Sequence, residues 1–264
     1  MDNKFKFKKK FGQNFLKDDK IITTLLAKID ILTNNLVIEV GPGSGILTSK
    51  LIKKFDNVIS YEIDTSLKKI LQSKFQNSNN LEVIYGDFLK MNIITDIQKY
   101  SYKHLYFVSN VPYYITTPIL FKLIDSEIEF TNIVMMVQKE VGERFNAKVG
   151  SKSYNALTVI LNYYFKINKI VDVPRENFIP VPNVDSVVIS LETKSNKEKL
   201  KDEQKFLQLV NESFKFKRKT LRNNLKQYDL KKIASVLQKY NLNLNVRAEQ
   251  IDYKIFIDIS NSCF

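Results

Sequence analysis

Three points along the chain put chemically useful residues where an apolar run gives out. The stretch SNVPYYITTPIL, residues 109–120, follows HLYFV and supplies an amide, Asn110, then Val111, Pro112 and two tyrosines, Tyr113 and Tyr114. A side-chain amide offers both hydrogen-bond acceptor and donors, and the proline restrains the turn that carries it. Earlier, VIEVGPGSGILT (37–48) carries Gly41, Gly43 and Gly45. Glycines there allow a tight turn and a close approach of backbone to a ligand. Glu62 closes the next apolar run, 21 residues after Gly41, where a carboxylate can accept two hydrogen bonds from a ribose diol. Asp87, in IYGDFL, closes a third run and is placed to meet an adenine amino group. The spacing is G-x-G-x-G with Pro42 inside it, which disfavours a dinucleotide, since a pyrophosphate turn more often reads G-x-G-x-x-G. The plainer alternatives are a tyrosine-rich turn and two solvated acids at strand ends.

Composition removes other chemistries. The single cysteine, Cys263, excludes an internal disulfide and a cysteine-based metal cluster. The single histidine, His104, opens an apolar run and receives no role. Zinc sites and histidine-dependent triads therefore drop out, and no metal is expected. Chemistry must run on carboxylates, amides, backbone and a cofactor. The cysteine usage fits a reducing, cytoplasmic setting. No run of 18 apolar residues is present, so no membrane span is expected, and the basic N-terminus lacks the apolar core of a secretory signal. A net charge of +13 favours a polyanionic partner, nucleic acid before a membrane surface, although a lysine-rich background would also raise it.

These residues need elements to hold them. The runs 36–40, 58–63, 81–85, 104–108 and 132–137 are continuously apolar, as expected for strands buried on both faces of a parallel sheet. Helical patterns at 19–29, 45–55, 65–75 and 117–125 alternate with them, so the spacing predicts an α/β, doubly wound sheet with right-handed crossovers. The segment VPRENFIPVPNVDSVVISLE predicts a later antiparallel strand, and the charged stretch 193–204 a linker. Beyond it only helical periods follow, at 205–215, 219–226, 230–240 and 246–259. The expected organisation is a basic segment over 1–17, a cofactor domain over 18–194 and a small all-helical domain over 195–264.

The chain resembles class I S-adenosylmethionine-dependent methyltransferases, with their Rossmann-like sheet, and in particular the ribosomal RNA adenine N6-dimethyltransferase family. The resemblance rests on FGQNFL (11–16), VIEVGPGSGILT, YEID (61–64), GDFL (86–89), NVPYYITTPIL (110–120), MVQKEVGERF (136–145), NFIPVPNVDSVV (177–188) and FKFKRKTLRNNLK (214–226), in order along almost the whole chain. It implies cofactor contacts from Asn14, Leu16, Gly41, Gly43, Glu62, Asp87, Phe88 and Asn110. The residues alone point to Gly41, Glu62 and Asp87, whereas QNFL reads by itself as an ordinary helix entry. Two departures are present: Val111 where small-subunit enzymes more often carry leucine, and Ser109 where they usually carry glycine.

The resemblance implies an adenine amine as acceptor of the methyl group. Its lone pair is delocalised into the ring, so acceptors aimed at its protons assist attack; the Asn110 side-chain oxygen and the Val111 carbonyl are adjacent candidates. Pro112 restrains the turn, and Tyr113 offers a stacking face. Phe178 is the implied second stacking ring, and Tyr114 has no assigned side. The target base must be unpaired or flipped out. Two basic clusters are candidates for the RNA: Lys8, Lys9 and Lys10 near the N-terminus, and Lys217, Arg218, Lys219, Arg222 and Lys226 in the tail. At helical spacing Arg218, Arg222 and Lys226 share one face. The expected function is dimethylation of N6 on two adjacent adenosines in a 3′-terminal hairpin of small-subunit rRNA, on the immature subunit, by a monomer. The alternatives are a large-subunit adenine methyltransferase of the macrolide-resistance type, a non-catalytic RNA-binding assembly factor, and, more distantly, a dehydrogenase.

Overall fold

The computed structural model describes residues 14–264. Lys8, Lys9 and Lys10 lie outside them. Nine strands and eleven α-helices alternate in the described residues. The strands are β1 (Phe15–Leu16), β2 (Asn35–Val40), β3 (Asn57–Glu62), β4 (Leu81–Tyr85), β5 (His104–Asn110), β6 (Asn132–Gln138), β7 (Phe165–Val173), β8 (Phe178–Ile179) and β9 (Ser186–Thr193). The helices are α1 (Asp19–Ala27), α2 (Thr48–Leu51), α3 (Lys68–Lys74), α4 (Ile93–Ile97), α5 (Thr116–Asp125), α6 (Lys139–Phe145), α7 (Ala156–Tyr164), α8 (Glu203–Ser213), α9 (Leu221–Asn224), α10 (Leu230–Gln238) and α11 (Tyr253–Cys263).

Seven strands form one sheet in the order β4-β3-β2-β5-β6-β9-β7. The first five run parallel, and β9 returns antiparallel along β6, with Met135 opposite Ile189. All five strands expected from the apolar runs form, because runs such as LVIEV have helices on both faces and bury every residue. Two things differ from expectation. FKINKIVDV forms β7, whose alternation of exposed and half-buried residues is that of a sheet edge. Phe15 and Leu16 form a strand against Phe178 and Ile179, where QNFL alone reads as helix entry. The helix starts only at Asp18, whose carboxylate caps the Lys20 N–H at 2.8 Å.

Contacts divide the chain into two compact units. The sheet unit takes the described residues up to Gly142 together with Asn168–Thr193. Its core packs Ile22, Leu25 and Leu26 of α1 against Val37, Val58, Tyr106, Val108 and Val134 of the central strands. The helical unit takes Glu143–Ile167 with Lys194–Phe264, so α7 packs with the C-terminal helices although its sequence precedes the last sheet strand. There α7 packs on α8 and α11, and α10 on α11. The rings of Tyr163 and Phe206 meet at 5.2 Å, and those of Phe214 and Phe256 at 5.9 Å. Aspartates 202, 229 and 252 cap the N-termini of α8, α10 and α11. Among the described residues no helix is long and apolar enough to cross a membrane.

A candidate cofactor and substrate pocket

Parallel strands deliver their carboxyl ends to one rim, and the pocket opens there in the sheet unit, between the turn after β2 and the end of β5. It is lined by Asn14, Leu16, Gly41, Gly43, Glu62, Asn110, Val111, Pro112 and Tyr113, among others. Nine of the residues singled out from sequence thus meet in one cavity. Gly41 and Gly43 have φ of +75° and +57°, a region L side chains rarely adopt. A Cβ on Gly41 would stand 3.8 Å from the Pro112 ring, so a side chain there would fill the gap between the turn and the end of β5. A Cβ on Gly43 would strike the Phe15 ring at 2.8 Å.

Glu62 is 3% exposed. One carboxylate oxygen accepts the Asp64 N–H at 2.7 Å and the other the Gly43 N–H at 3.1 Å. Burial pushes its pKa up, and these two N–H groups pull against that shift. The carboxylate is therefore fixed in direction while each oxygen keeps a lone pair for a diol. Asn110 donates from Nδ2 to the Asn14 carbonyl at 3.3 Å. That bond turns Oδ1 into the acceptor of the pair, and Oδ1 has no hydrogen-bond partner among the described residues. The Tyr113 hydroxyl shares a 2.6 Å hydrogen bond with Ser186 Oγ, which holds its half-buried ring in place. Tyr114 is 55% exposed, so the two tyrosines take different sides.

Three expected site residues stand apart from the pocket lining. Asp87 caps the turn after β4, accepting the Leu89 N–H at 3.1 Å, with its side chain one-third exposed. Phe88 is buried in the core, with its ring edge-on to Tyr61 at 5.0 Å. Its side chain is a packing group, with the centre of the Phe107 ring 6.3 Å away. Phe178 is fully buried among Leu16, Val173 and Val188. The resemblance implies a second stacking ring at this position; in this structure the pairing of β1 with β8 draws the ring into the core. In the helical unit, α9 spans only Leu221–Asn224, so Arg218 and Lys226 flank the helix and do not share a helical face with Arg222. All three are exposed.

Two further polar side chains, Glu39 and Ser109, line the pocket. Glu39, completely buried, accepts from Thr48 Oγ1 at 2.8 Å and Ser60 Oγ at 2.7 Å. Burial pushes its pKa up to about 7, against the pull of the two hydroxyls and with a further push from Glu62. The signal was in VIEV, an acid inside an otherwise apolar strand. Ser109 donates to the Val40 carbonyl at 2.6 Å and accepts from the Val40 N–H at 3.3 Å. Among the described residues no group of acids, histidines and cysteines could hold a metal ion.

The arrangement fits a nucleoside-bearing cofactor: a glycine cradle, a fixed carboxylate for a diol, and an amide acceptor across the gap. The chain matches the family model for ribosomal RNA adenine dimethylase over residues 4–263. It is 44% identical over 254 residues to the ribosomal RNA small subunit methyltransferase A of Aster yellows witches'-broom phytoplasma, covering 94% of this chain and 93% of that one. A crystal structure of a dimethyladenosine transferase from Plasmodium falciparum superposes with a TM-score of 0.77 at 27% identity, covering 92% of this chain and 95% of that one. The structure of the 23S rRNA methyltransferase ErmE superposes at 0.75 with 24% identity, covering 95% and 99%, and shares the fold.

Proposed function

We infer the reaction from the premise that this chain belongs to the ribosomal RNA adenine dimethylase family, whose model spans it almost end to end. It is an S-adenosylmethionine-dependent methyltransferase that dimethylates rRNA adenines, built on the Rossmann-like sheet of class I enzymes. We propose further that the substrate is small-subunit rRNA, methylated at N6 of two adjacent adenosines in a 3′-terminal hairpin on the immature subunit, and that the enzyme works as a monomer. Support for the small subunit comes from the 44% identity to a protein bearing that name. The likeness to a 23S enzyme, at 24% identity, speaks only for the fold.

In this reading Gly41, Gly43 and Glu62 hold the cofactor, with Asn14, Leu16 and the Asp87–Phe88 segment completing its surroundings. When bound, the cofactor supplies an electrophilic methyl group. The observation that carries the reading is the Asn110 amide, oriented by the Asn14 carbonyl so that Oδ1 is left as an acceptor. Asn110 Oδ1 and the Val111 carbonyl accept the two protons of the adenine amine. This favours a more tetrahedral nitrogen and steadies the positive charge that develops on it. Pro112, with φ −55° and ψ 127°, restrains the turn, so little ordering is left for the moment of reaction. Tyr113 stacks on the base, held by Ser186. The methylated nitrogen is acidic enough to lose its proton to water, so no basic side chain is required. Lys217, Arg218, Lys219, Arg222 and Lys226 contact the phosphate backbone, with Lys8, Lys9 and Lys10 as a second basic cluster.

Purified protein with a methyl-labelled cofactor should label adenines of immature small subunits and leave large subunits blank. Unlabelled small subunits would overturn the substrate assignment, and label in the large subunit would shift it to the other branch.

A further inference from the structure

The loop joining α8 to α9 holds a feature that charge alone does not explain. Five of its residues, Lys215, Phe216, Lys217, Arg218 and Lys219, are exposed. Scattered exposed apolar residues are ordinary. Phe216, however, is 57% exposed, the highest value of any large hydrophobic side chain among the described residues, and it lies between cations on both sides. Lys215 Nζ lies 5.8 Å from its ring centroid. No salt bridge engages Lys215, Lys217, Arg218, Lys219, Arg222 or Lys226 among the described residues. Glu212 lies near enough to Lys215 to feel its charge, and the other cations of the set repel one another until a polyanion lies against them.

The loop is also held rigid from beneath. The buried Asn224 donates from Nδ2 to the carbonyls of Ser213 at 2.6 Å and Phe216 at 3.3 Å. The Lys219 N–H closes a turn onto the same Phe216 carbonyl at 2.9 Å. Leu221 and Leu225, both fully buried, anchor the chain that follows. The ring is thus presented on a fixed backbone, which lowers the ordering cost of a contact made through it.

We propose that Phe216 is a stacking platform for an unpaired base of the RNA, with the flanking cations gripping the phosphates on either side. The inference rests on the reading of this basic surface as RNA-facing. A flat aromatic face accepts any base, and interleaving it with cations is the chemistry of single-strand binding; a paired helix, whose bases are already stacked, offers the ring nothing. The site therefore selects a single-stranded segment next to the phosphates it holds.

The chain has no tryptophan, so Phe216→Trp places one fluorophore at the site. Titration with an unstructured RNA oligonucleotide should quench its emission, and a blunt RNA duplex should not. Phe216→Leu should weaken binding of the unstructured oligonucleotide by roughly 5- to 140-fold, the worth of one stacked base, without changing the dependence on salt. The double variant Lys217→Ala/Arg218→Ala should weaken binding of both RNAs and flatten the salt dependence, by about 0.7 per cation on a single strand. Circular dichroism checks that the variants stay folded. Wild-type binding by Phe216→Leu, or equal quenching by single strand and duplex, would overturn the stacking role. If the lysine–arginine variant also binds both RNAs like wild type, the RNA-facing reading of this surface fails with it.

Discussion

The pocket wall of the sheet unit and the basic loop of the helical unit use opposite means to be ready for a ligand. In the pocket four polar side chains are buried or half-buried and already engaged: Glu62 by two N–H groups, Asn110 by the Asn14 carbonyl, Tyr113 by Ser186 and Ser109 by Val40. In the loop the backbone is held through Asn224, and the side chains from Phe216 to Lys219 reach into water without salt bridges among the described residues. The difference follows from what each must hold. A small cofactor and one amine have to meet fixed atoms, and fixed dipoles in a buried site need no rearrangement as charge develops. A phosphate backbone repeats, so point charges on flexible stems grip it with loose positional demands. Substitutions in the pocket should thus be severe and specific, and those in the loop modest and additive.

The largest expected effect tests that contrast. Asn110→Ala removes the oriented acceptor, and loss of one such group typically costs about 10²–10³ in rate. Single-turnover methyl transfer should fall by that order while the melting temperature hardly moves, because Asn110 is only half-buried and contributes one long hydrogen bond. If transfer instead keeps its rate and only substrate affinity falls, Asn110 behaves like a loop residue and the contrast breaks.

How much of this was legible in the sequence depends on whether one segment carried its own signal. The five parallel strands were, because each is a continuous apolar run bounded by polar residues. Gly41, Glu62 and Asn110 were, because each stands where such a run ends. The pairing of Phe15–Leu16 with Phe178–Ile179 was not: two-residue strands have no period to read, and their partners lie far apart in the chain. The same pairing sends Phe178 into the core, which no local pattern announces. The helix expected over 219–226 shrinks to Leu221–Asn224 for a tertiary reason, since the N–H groups of Leu221 and Arg222 bond to the carbonyls of Val246 and Leu244. The partners of Tyr113 and Ser109 come from other strands, so their fixed positions became visible only once the sheet was assembled.

A medium-sized effect separates the two regions by pH. Glu39 is buried with its pKa raised to about 7 from an ordinary 4.5, so the folded protein holds a proton that the unfolded chain releases within that window. Its contribution to stability is complete below pH 4.5 and is lost as pH rises through about 7, on the order of 3 kcal/mol in all. Burial raises Glu62 as well, with the same sign. Urea unfolding across this range should show wild-type stability falling, and Glu39→Gln, which keeps an acceptor for Thr48 and Ser60, should flatten part of the slope. Parallel curves for the two proteins would mean that Glu39 is ionised in the fold and that the pocket tolerates a buried charge.

The smallest expected effect concerns Ser109, where the resemblance led us to expect glycine. Its hydroxyl both donates to and accepts from the backbone of Val40, so it fastens the residue before Asn110 to the residue before Gly41. Acceptor and cofactor turn are thereby held at one spacing by a single side chain. Ser109→Ala removes both bonds and leaves the backbone of a buried valine unpaired at that point, at a cost of roughly 1–3 kcal/mol. If the fastening also sets the distance between the Asn110 amide and the glycine turn, the single-turnover rate should drop a few-fold while cofactor affinity, which depends on Glu62 and the glycines, stays level. Ser109→Gly should behave like the alanine variant, because it too lacks the hydroxyl. A fall in melting temperature with an unchanged rate would assign Ser109 to stability alone, and Asn110 would then take its position from the Asn14 carbonyl by itself.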